Sequence, residues 1–414
     1  MFEPTSKEEI KKWVEDNIID KVVLKLNKQS SNVSLKISFP EKNFLLSSII
    51  FAELKFNSSL NPFENVEDTV HLVIKRPSIL ELSNTVLHLD ALFHNEILFY
   101  EKFLKNEFIS KNEFPRCFYT AEDKSDFART VIVMEHIEYM GYEVYSKSSD
   151  VPFEYIISAM QAIGRFHAMG YVMKINKPAN FMEIVNDLKE YRFFPEEMFG
   201  NFINLVSVRP VEWLKKKNYD PIFVDKMEKF LTNAFDNVMF DAVKPVEPLA
   251  VLCHGDFTKN NIFFRETNRG LESMLIDFAM LRYSSPSIDI STFLYLHCSR
   301  EDRNKRFTEI FKAYHDALIN YMQKHGIKNL ENYSYTNFLN DYKRRAMFGY
   351  IIAIFFLPVI RGLSSLSAEE AKNFNPEEMS QMMKEVGGDD FSEELANILL
   401  DIRESGYLDH VLKV

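Results

Sequence analysis

The segment VLCHGDFTKNNIFF, residues 251–264, places a polar turn between two apolar runs that have the composition of buried strands. The turn carries His254, Asp256 and Asn261. A carboxylate without a partner between buried strands is strongly unfavourable, because burial removes its hydration. These polar groups must therefore be satisfied by one another, by a ligand or by a metal ion, and any fold of this chain has to provide one of the three.

A second carboxylate, Asp277, follows the turn in the next strand-like run, SMLIDFAML. Phosphoryl transfer from ATP uses one carboxylate that accepts the proton of the acceptor hydroxyl, together with an amide and a second carboxylate that bind Mg²⁺. Asp256, Asn261 and Asp277 supply these groups in this order. Each of them alone could be a cap or turn residue. It is the ordered combination that predicts a phosphotransferase site.

A lysine and a glutamate that suit the same chemistry occur earlier in the chain. Lys75 ends the alternating strand HLVIK, and Glu96 lies on the apolar face of the next helix, between Phe93 and Tyr100. A buried carboxylate needs a cationic partner, and Lys75 is the expected one. In protein kinases such a pair holds the lysine toward the α- and β-phosphates of ATP. The alternative is a surface lysine and a solvated helix glutamate.

The spacing of apolar residues changes along the chain. The runs SSIIFAELKF, TVHLVIKRP and RTVIVMEHI have strand composition, and a helix lies among them, so a small sheet with a helix is predicted up to about residue 137. Beyond Gly141 helical patterns dominate, and RFTEIFKAYHDALINYMQKHG ends in a glycine that suits a helix C-terminus. We therefore predict two contiguous lobes, with the chain crossing between them at about residues 135–141.

These motifs resemble those of a known family. VLCHGDFTKNNIFFRE, followed by LIDFAMLRYSSPSIDISTFLYLHCS, resembles the ecdysteroid kinase-like family of small-molecule kinases (the CHK kinase-like domain), which is related to choline kinases and aminoglycoside phosphotransferases. The resemblance extends from Lys75 through the apolar helix FGYIIAIFFLP. It implies an α+β, bilobal, protein-kinase-like fold: an N-lobe of residues 1–137 with a small antiparallel, nucleotide-binding sheet, and a mainly helical C-lobe of residues 138–414 with the catalytic loop and acceptor pocket.

The resemblance also implies roles for the residues of the polar turn. Asp256 would be the catalytic base or would orient the hydroxyl, and Asn261 and Asp277 would bind Mg²⁺. His254 would brace the loop, and Asp289 in PSIDIS would hold it from behind. His167, outside this motif, is predicted to be a core histidine with satisfied hydrogen bonds.

A second set of roles concerns the nucleotide. In VIVMEHIEYMGY, the backbone of Glu135 and Ile137 would contact adenine, and Met134 would lie behind the base. Lys75, paired with Glu96, would contact the phosphates of ATP.

The sequence departs from the kinase pattern at several positions. It has no glycine before Gly141, and FPEKNFLLSSIIF stands where protein kinases have a glycine-rich phosphate loop, with Ser47 as the candidate phosphate contact. Ala279 replaces the polar residue usual two positions after the magnesium-binding aspartate, and Thr258 stands where an aromatic residue is common. Lys259 is either a simple exposed lysine or a contact for the γ-phosphate.

Composition excludes several other functions. A net charge of −11 argues against a general nucleic-acid binder, which needs a positive face. The three cysteines are widely spaced and indicate neither a disulfide framework nor a zinc site. The longest apolar run, residues 346–360, is shorter than the roughly 20 residues of a membrane span. The first 20 residues lack a signal-peptide pattern, so we expect a cytoplasmic protein without membrane contact.

The sequence thus predicts a kinase that uses ATP and Mg²⁺ to phosphorylate a hydroxyl of a small molecule, either an ecdysteroid-like steroid or a xenobiotic alcohol. Two alternatives stay open. One is a choline or aminoglycoside kinase, whose cationic acceptor would need an acidic or aromatic cage. The other is a catalytically weak pseudokinase that acts as a binding module, which the missing glycines suggest. The acceptor and the oligomeric state are not readable from the sequence.

Overall fold

The chain forms two structural units in a computed structural model that describes residues 7–28, 33–40, 47–56, 68–78, 88–190, 197–363 and 376–413. The first unit comprises Met1–Glu143, Asn186–Lys189 and Met274–Met280. The second comprises Val144–Val185, Glu190–Ser273 and Leu281–Val414. Asp277 therefore belongs to the same unit as Lys75 and Glu96, although it lies far from them in the sequence.

A five-stranded sheet forms the centre of the first unit. Its strands are β1 (Val33–Ser38), β2 (Ser47–Phe56), β3 (Asp68–Pro77), β4 (Cys117–Ala121) and β5 (Val131–Glu135). Their order in the sheet is β1-β2-β3-β5-β4, and every neighbouring pair is antiparallel. The small antiparallel sheet predicted for this part of the chain is confirmed.

Helices pack against the sheet of the first unit. Helix α1 (Lys7–Val14) continues through a π-helical turn (Glu15–Ile19) into α2 (Asp20–Lys25), and their apolar side chains join one core with Leu72 and Ile74 of β3. Side chains alternate between the faces of a strand, so Lys75 lies on the face opposite Ile74. On that face Lys75 contacts helix α3 (Leu89–Leu98), which continues through a second π-helical turn (Phe99–Phe103).

The second unit is mainly helical. Its longer helices are built on apolar residues at helical spacing, and its strands are short. In chain order the elements that follow β5 are β6 (Glu143–Val144), α4 (Phe153–Asn176), α5 (Pro178–Asp187), α6 (Glu197–Ser207), α7 (Arg209–Lys216), α8 (Pro221–Leu231), α9 (Asp241–Val243), β7 (Val251–Cys253), β8 (Ile262–Thr267), β9 (Gly270–Leu275), β10 (Arg282–Ser284), α10 (Ser287–His297), α11 (Arg300–Lys305), α12 (Phe307–Lys324), α13 (Tyr335–Ile360), α14 (Pro376–Glu385), α15 (Gly388–Glu404) and α16 (Asp409–Leu412).

Two helix pairs in the second unit cross at glycines. A Cβ atom built on Gly164 of α4 would lie 2.5 Å from the carbonyl oxygen of Tyr314 in α12. A Cβ built on Gly349 of α13 would lie 2.2 Å from the carbonyl carbon and oxygen of Ser291 in α10. Only glycine allows backbones to approach this closely. These crossings position α4 and α10, which carry His167 and Asp289.

Two helix predictions for the second unit are confirmed. Helix α12 ends before Gly326, which has a φ of +81° as the C-terminal glycine pattern predicts, and the apolar run 346–360 lies within α13. Helix α8 ends at Leu231, and a π-helical turn, Phe235–Phe240, follows it. Within the described ranges, the structure has no helix of sufficient length and apolar character to cross a bilayer.

Substituting Gly349→Ala should destabilise the protein by several kcal/mol, because the methyl group would collide with the backbone of α10. The collision outweighs the gain of about 1 kcal/mol that alanine brings to a helix interior. Gly200→Ala in α6 is the matched control, since the nearest atoms to its Cβ belong to the Phe235 side chain, at an ordinary contact distance of 3.5 Å. That variant should be as stable as the wild type or slightly more. Urea unfolding midpoints compare the three proteins, and a G349A midpoint equal to that of G200A would contradict the close crossing.

Candidate active site

The polar turn after β7 is held by one buried carboxylate. Asp289 Oδ2 accepts the backbone N–H of His254 at 2.7 Å, and Asp289 Oδ1 accepts that of Gly255 at 2.9 Å. Gly255 has a φ of +80°, a conformation that glycine adopts without strain. The His254 ring stays within the turn, where Nδ1 lies 3.3 Å from the backbone nitrogen of Asp256 and accepts its hydrogen. Asp289 thus contacts the loop from the helix behind it.

A second set of contacts, made by His167, stabilises the negative charge of Asp289. His167 Nε2 lies 3.0 Å from Asp289 Oδ2, and the Tyr314 hydroxyl lies 3.0 Å from His167 Nδ1. Burial opposes ionisation of Asp289, but the hydrogen bond and charge of His167 outweigh it, so the pKa of Asp289 is lowered. Burial lowers the pKa of His167. His167 is therefore the core histidine with satisfied hydrogen bonds that the sequence predicts, and its Nε2 donates to the carboxylate.

Asp256 and Asn261 are joined by two hydrogen bonds. Asn261 Nδ2 donates to the Asp256 backbone oxygen at 2.9 Å and to Asp256 Oδ2 at 2.8 Å. Asn261 ends a 3-10 turn, Lys259–Asn261, and is 9% exposed, whereas Asp256 is partly exposed. Because both bonds use Nδ2, the amide oxygen of Asn261 points elsewhere. That oxygen is of the kind that Mg²⁺ binds.

Lys259 is not a simple exposed lysine. Its ammonium group donates to the carbonyl oxygen of Ser148, and the side chain is half-buried. Burial lowers the pKa of Lys259, and the charge of Asp150 partly offsets this. A contact of Lys259 with the γ-phosphate stays a prediction.

In the first unit, Lys75 lies between two carboxylates. Its Nζ is 2.6 Å from Glu96 Oε2 and 2.9 Å from Asp277 Oδ1. Glu96 is fully buried, whereas the Asp277 side chain is 39% exposed. Burial disfavours the ammonium ion, but the charges of Asp277 and Glu96 outweigh it and raise the pKa of Lys75. The lysine–glutamate pair inferred from the sequence is present, and Asp277 joins it.

The backbone around Asp277 is in an unusual conformation. Asp277 has a φ of +63°, which few residues other than glycine adopt, and such strain persists where surrounding contacts enforce it. Phe278 supplies one of these contacts, since its ring stacks on Phe99 with 3.6 Å between the centroids. Asn95 supplies another, because its Nδ2 donates to the Ala279 carbonyl at 3.3 Å and to the Lys189 carbonyl at 2.8 Å.

Asn95 and Phe278 were missed as site residues in the sequence. Asn95 is 2% exposed and stands next to Glu96 on an apolar helix, and a buried amide in that position is the signal that could have identified it. Phe278 directly follows Asp277 and is fully buried. Both residues hold the Asp277 segment against α3 and the π-helical turn that continues it, and thereby place the carboxylate beside Lys75.

The predicted adenine-contacting segment comprises the end of β5 and the turn that follows it. Met134 is 7% exposed, and its sulfur lies 3.8 Å from the Tyr100 hydroxyl. The N–H of Glu135 donates to the Arg116 carbonyl at 2.8 Å, and the Ile137 carbonyl accepts the N–H of Tyr142 at 3.3 Å. Ile137 begins a 3-10 turn, Ile137–Met140, whose first N–H has no acceptor within the turn. Adenine contacts in this segment stay a prediction.

Ser47 begins β2, where it pairs with Pro77 of β3 and is 8% exposed. Residues 41–46, which precede it in the segment that replaces the glycine-rich loop, lie outside the described residues. The phosphate contact proposed for Ser47 therefore stays a prediction.

Comparisons of the sequence and the structure identify known proteins that this chain resembles. A search of curated protein sequences found no significant match. Among solved structures, an ethanolamine kinase of Plasmodium vivax matches with a TM-score of 0.40 and 12% identity, over 92% of this chain and 97% of that chain. A microcompartment-associated aminopropanol kinase matches with a TM-score of 0.39 and 13% identity, over 88% of this chain and 94% of that chain.

A sequence model of the ecdysteroid kinase-like family matches residues 46–327. The match covers more than half of the 414 residues and includes Lys75, Glu96, Asp256, Asn261 and Asp277. The chain belongs to the ecdysteroid kinase-like family.

Proposed function

We propose that this protein is an ATP- and Mg²⁺-dependent kinase that phosphorylates a hydroxyl group of an ecdysteroid-like steroid or of a xenobiotic alcohol. The observation that carries the proposal is the position of the Lys75 ammonium between Glu96 and Asp277, at 2.6 and 2.9 Å. A buried lysine that two carboxylates keep charged is suited to binding phosphate oxygens. The family supports a small-molecule acceptor.

The residues proposed to bind Mg²⁺ have suitable donor atoms. Asp277 offers a partly exposed carboxylate, and Asn261 offers an amide oxygen that its own hydrogen bonds do not use. Mg²⁺ prefers oxygen ligands of these two types. When bound, the ion would neutralise negative charge on the phosphate oxygens. The assignment of Asn261 and Asp277 to one ion rests on the sequence resemblance.

Asp256 would act on the acceptor. The acceptor oxygen attacks the γ-phosphorus, the bond from that phosphorus to the β–γ bridging oxygen breaks, and ADP leaves. The proton of the hydroxyl passes to the Asp256 carboxylate and then to solvent. The hydrogen bond from Asn261 to Oδ2 fixes the orientation of this carboxylate, and Asp289 fixes the backbone that carries it. Most of the rate enhancement would come from such positioning.

A panel of acceptors offered with radiolabelled ATP and Mg²⁺ tests the proposed function. We expect label to appear on ecdysone or on 2-phenylethanol, above the hydrolysis seen without acceptor. Choline, ethanolamine and kanamycin represent the cationic alternative. Transfer to one of these three, with none to ecdysone or 2-phenylethanol, would contradict the proposed acceptor class. Absence of both nucleotide binding and transfer would favour the binding-module alternative.

Substituting Asp256→Asn should lower kcat by roughly 10²- to 10⁴-fold, since the amide cannot take up the hydroxyl proton. Affinity for ATP with Mg²⁺ should stay near the wild-type value, because Lys75 and its partners are unchanged. Steady-state kinetics and a nucleotide-binding isotherm give the two quantities.

Asp316→Asn is the matched control for that variant. Asp316 is a half-exposed residue of α12 that pairs with Lys312 at 3.2 Å on the surface. It should leave kcat unchanged. A folded Asp256→Asn protein that turns over at the wild-type rate would exclude Asp256 as the catalytic carboxylate.

A further inference from the structure

A cavity of about 710 Å³ lies in the first unit, between the helix formed by α1 with its π-helical turn and the ends of strands β3, β4 and β5. Its volume falls within the range of about 300–1,000 Å³ that is usual for ligand pockets. Its apolar surface comes from the partly exposed side chains of Trp13, Tyr119 and Ala121. We call it the outer cavity, because its strand residue Arg76 lies on the sheet face opposite Lys75.

Arg76 is the central charged group of the outer cavity. The residue is 7% exposed, and its guanidinium carbon lies 4.1 Å from the centre of the Trp13 ring. Its Nη2 donates to a neutral acceptor, the Ala128 carbonyl, at 2.9 Å. Its Nε has no hydrogen-bond acceptor among the residues that the structure describes. A guanidinium this deeply buried usually pairs with a carboxylate or another anion.

The electrostatics agree with an incompletely compensated cation. Burial lowers the pKa of Arg76, and the charge of Asp126 offsets this only in part. Asp126 itself pairs with Arg129 Nε at 3.3 Å. The carboxylate of Asp123, which also lines the outer cavity, accepts hydrogen bonds from the backbone of Ser125 and Asp126. Neither acid therefore forms a hydrogen-bonded pair with Arg76.

The positive and negative charges of the lining nearly cancel. Taken together, the outer cavity has four cationic and three acidic side chains, namely Lys12, Lys21, Arg76, Arg129, Glu9, Asp16 and Asp123. A ligand that carries one negative charge matches this lining better than a neutral or cationic one. The apolar surface beside Arg76 would remain exposed to water if the ligand were an inorganic ion alone.

We propose that the outer cavity binds a small organic anion, whose carboxylate or phosphate group pairs with Arg76 and whose apolar body packs on Tyr119 and Ala121. A planar guanidinium binds such groups through two parallel hydrogen bonds, which would occupy the Nε of Arg76. This site is separate from the nucleotide-binding groups, because Lys75 and Arg76 are adjacent residues of one strand and face opposite sides of the sheet.

The chain offers a local reporter for this proposal. Trp13 and Trp213 are its two tryptophans, so Trp213→Phe leaves Trp13 as the only one. Trp13 fluorescence in that protein is followed while cyclohexanecarboxylate, which does not absorb at the excitation wavelength, is added. Cyclohexanecarboxamide has nearly the same shape without the charge. Inorganic phosphate has the charge without the apolar body.

We expect a saturable change with cyclohexanecarboxylate, and binding about ten- to a hundredfold weaker with the carboxamide. Inorganic phosphate should also bind more weakly than the carboxylate. Arg76→Gln in the same background should weaken carboxylate binding by about the same factor. Arg76→Lys keeps the charge and should retain part of the affinity. Arg116→Gln is the matched control, because Arg116 is an exposed guanidinium of the same unit, 5.0 Å from the Phe118 ring, and its loss changes net charge equally.

Three results would overturn the proposal: no saturable change with cyclohexanecarboxylate, equal affinity for the carboxylate and the carboxamide, or equal affinity in Arg76→Gln and the control. Equal affinity for inorganic phosphate would overturn the apolar part of the site. The comparison of carboxylate with carboxamide needs no change at Arg76, so the test holds even if Arg76→Gln does not fold. Calorimetric titration of the wild-type protein gives the same comparison if Trp213→Phe does not fold.

Discussion

The ammonium group of Lys75 lies between two carboxylates, and this arrangement connects parts of the chain that are far apart in sequence. Glu96 is 21 residues away and Asp277 is 202 residues away. A buried lysine without these partners would lose its charge or destabilise the unit. Strand β3, helix α3 and the segment Met274–Met280 must therefore come together for the first unit to form its proposed nucleotide site. The strained backbone at Asp277 and the stacking of Phe278 on Phe99 belong to the contacts that bring this segment to Lys75.

The second unit contains a comparable hydrogen-bonded arrangement around Asp289. One fully buried carboxylate accepts two backbone N–H groups of the polar turn and a hydrogen bond from His167. This arrangement leaves Asp256 partly exposed, while Asn261 holds it in place. The polar groups that made the sequence segment unusual are thus satisfied largely by one another. The amide oxygen of Asn261 and the exposed part of Asp256 are the groups that we assign to ligands.

Sequence reasoning was most effective where chemistry is local. The turn motif, the strands of the first unit and most long helices could be predicted, because each depends on residue types at short spacing. The lysine–glutamate pair and the antiparallel arrangement of the sheet were expected from the kinase pattern and the family resemblance. The Asp277 segment joins the first unit through Asn95 and Phe99, and no spacing rule predicts contacts over so long a separation. The role of Arg76 was also not visible. Arg76 and Lys75 face opposite sides of the strand, as any two neighbouring strand residues do. The structure shows that Trp13 of a helix packs on the Arg76 side chain, and no sequence pattern predicts this contact.

The central claim is that the first unit binds ATP through Lys75 with a metal ion at Asp277. The shift of the unfolding temperature on adding ATP with Mg²⁺ tests it most directly, with ATP plus a chelator and Mg²⁺ alone as references. A ligand at about 100 times its dissociation constant contributes about 2.7 kcal/mol to the free energy of unfolding. We predict a clear stabilisation of the wild type and of the surface variant Asp316→Asn by ATP with Mg²⁺, and a much smaller one of Asp277→Asn. Equal shifts in all three proteins, or no shift in the wild type, would contradict the claim.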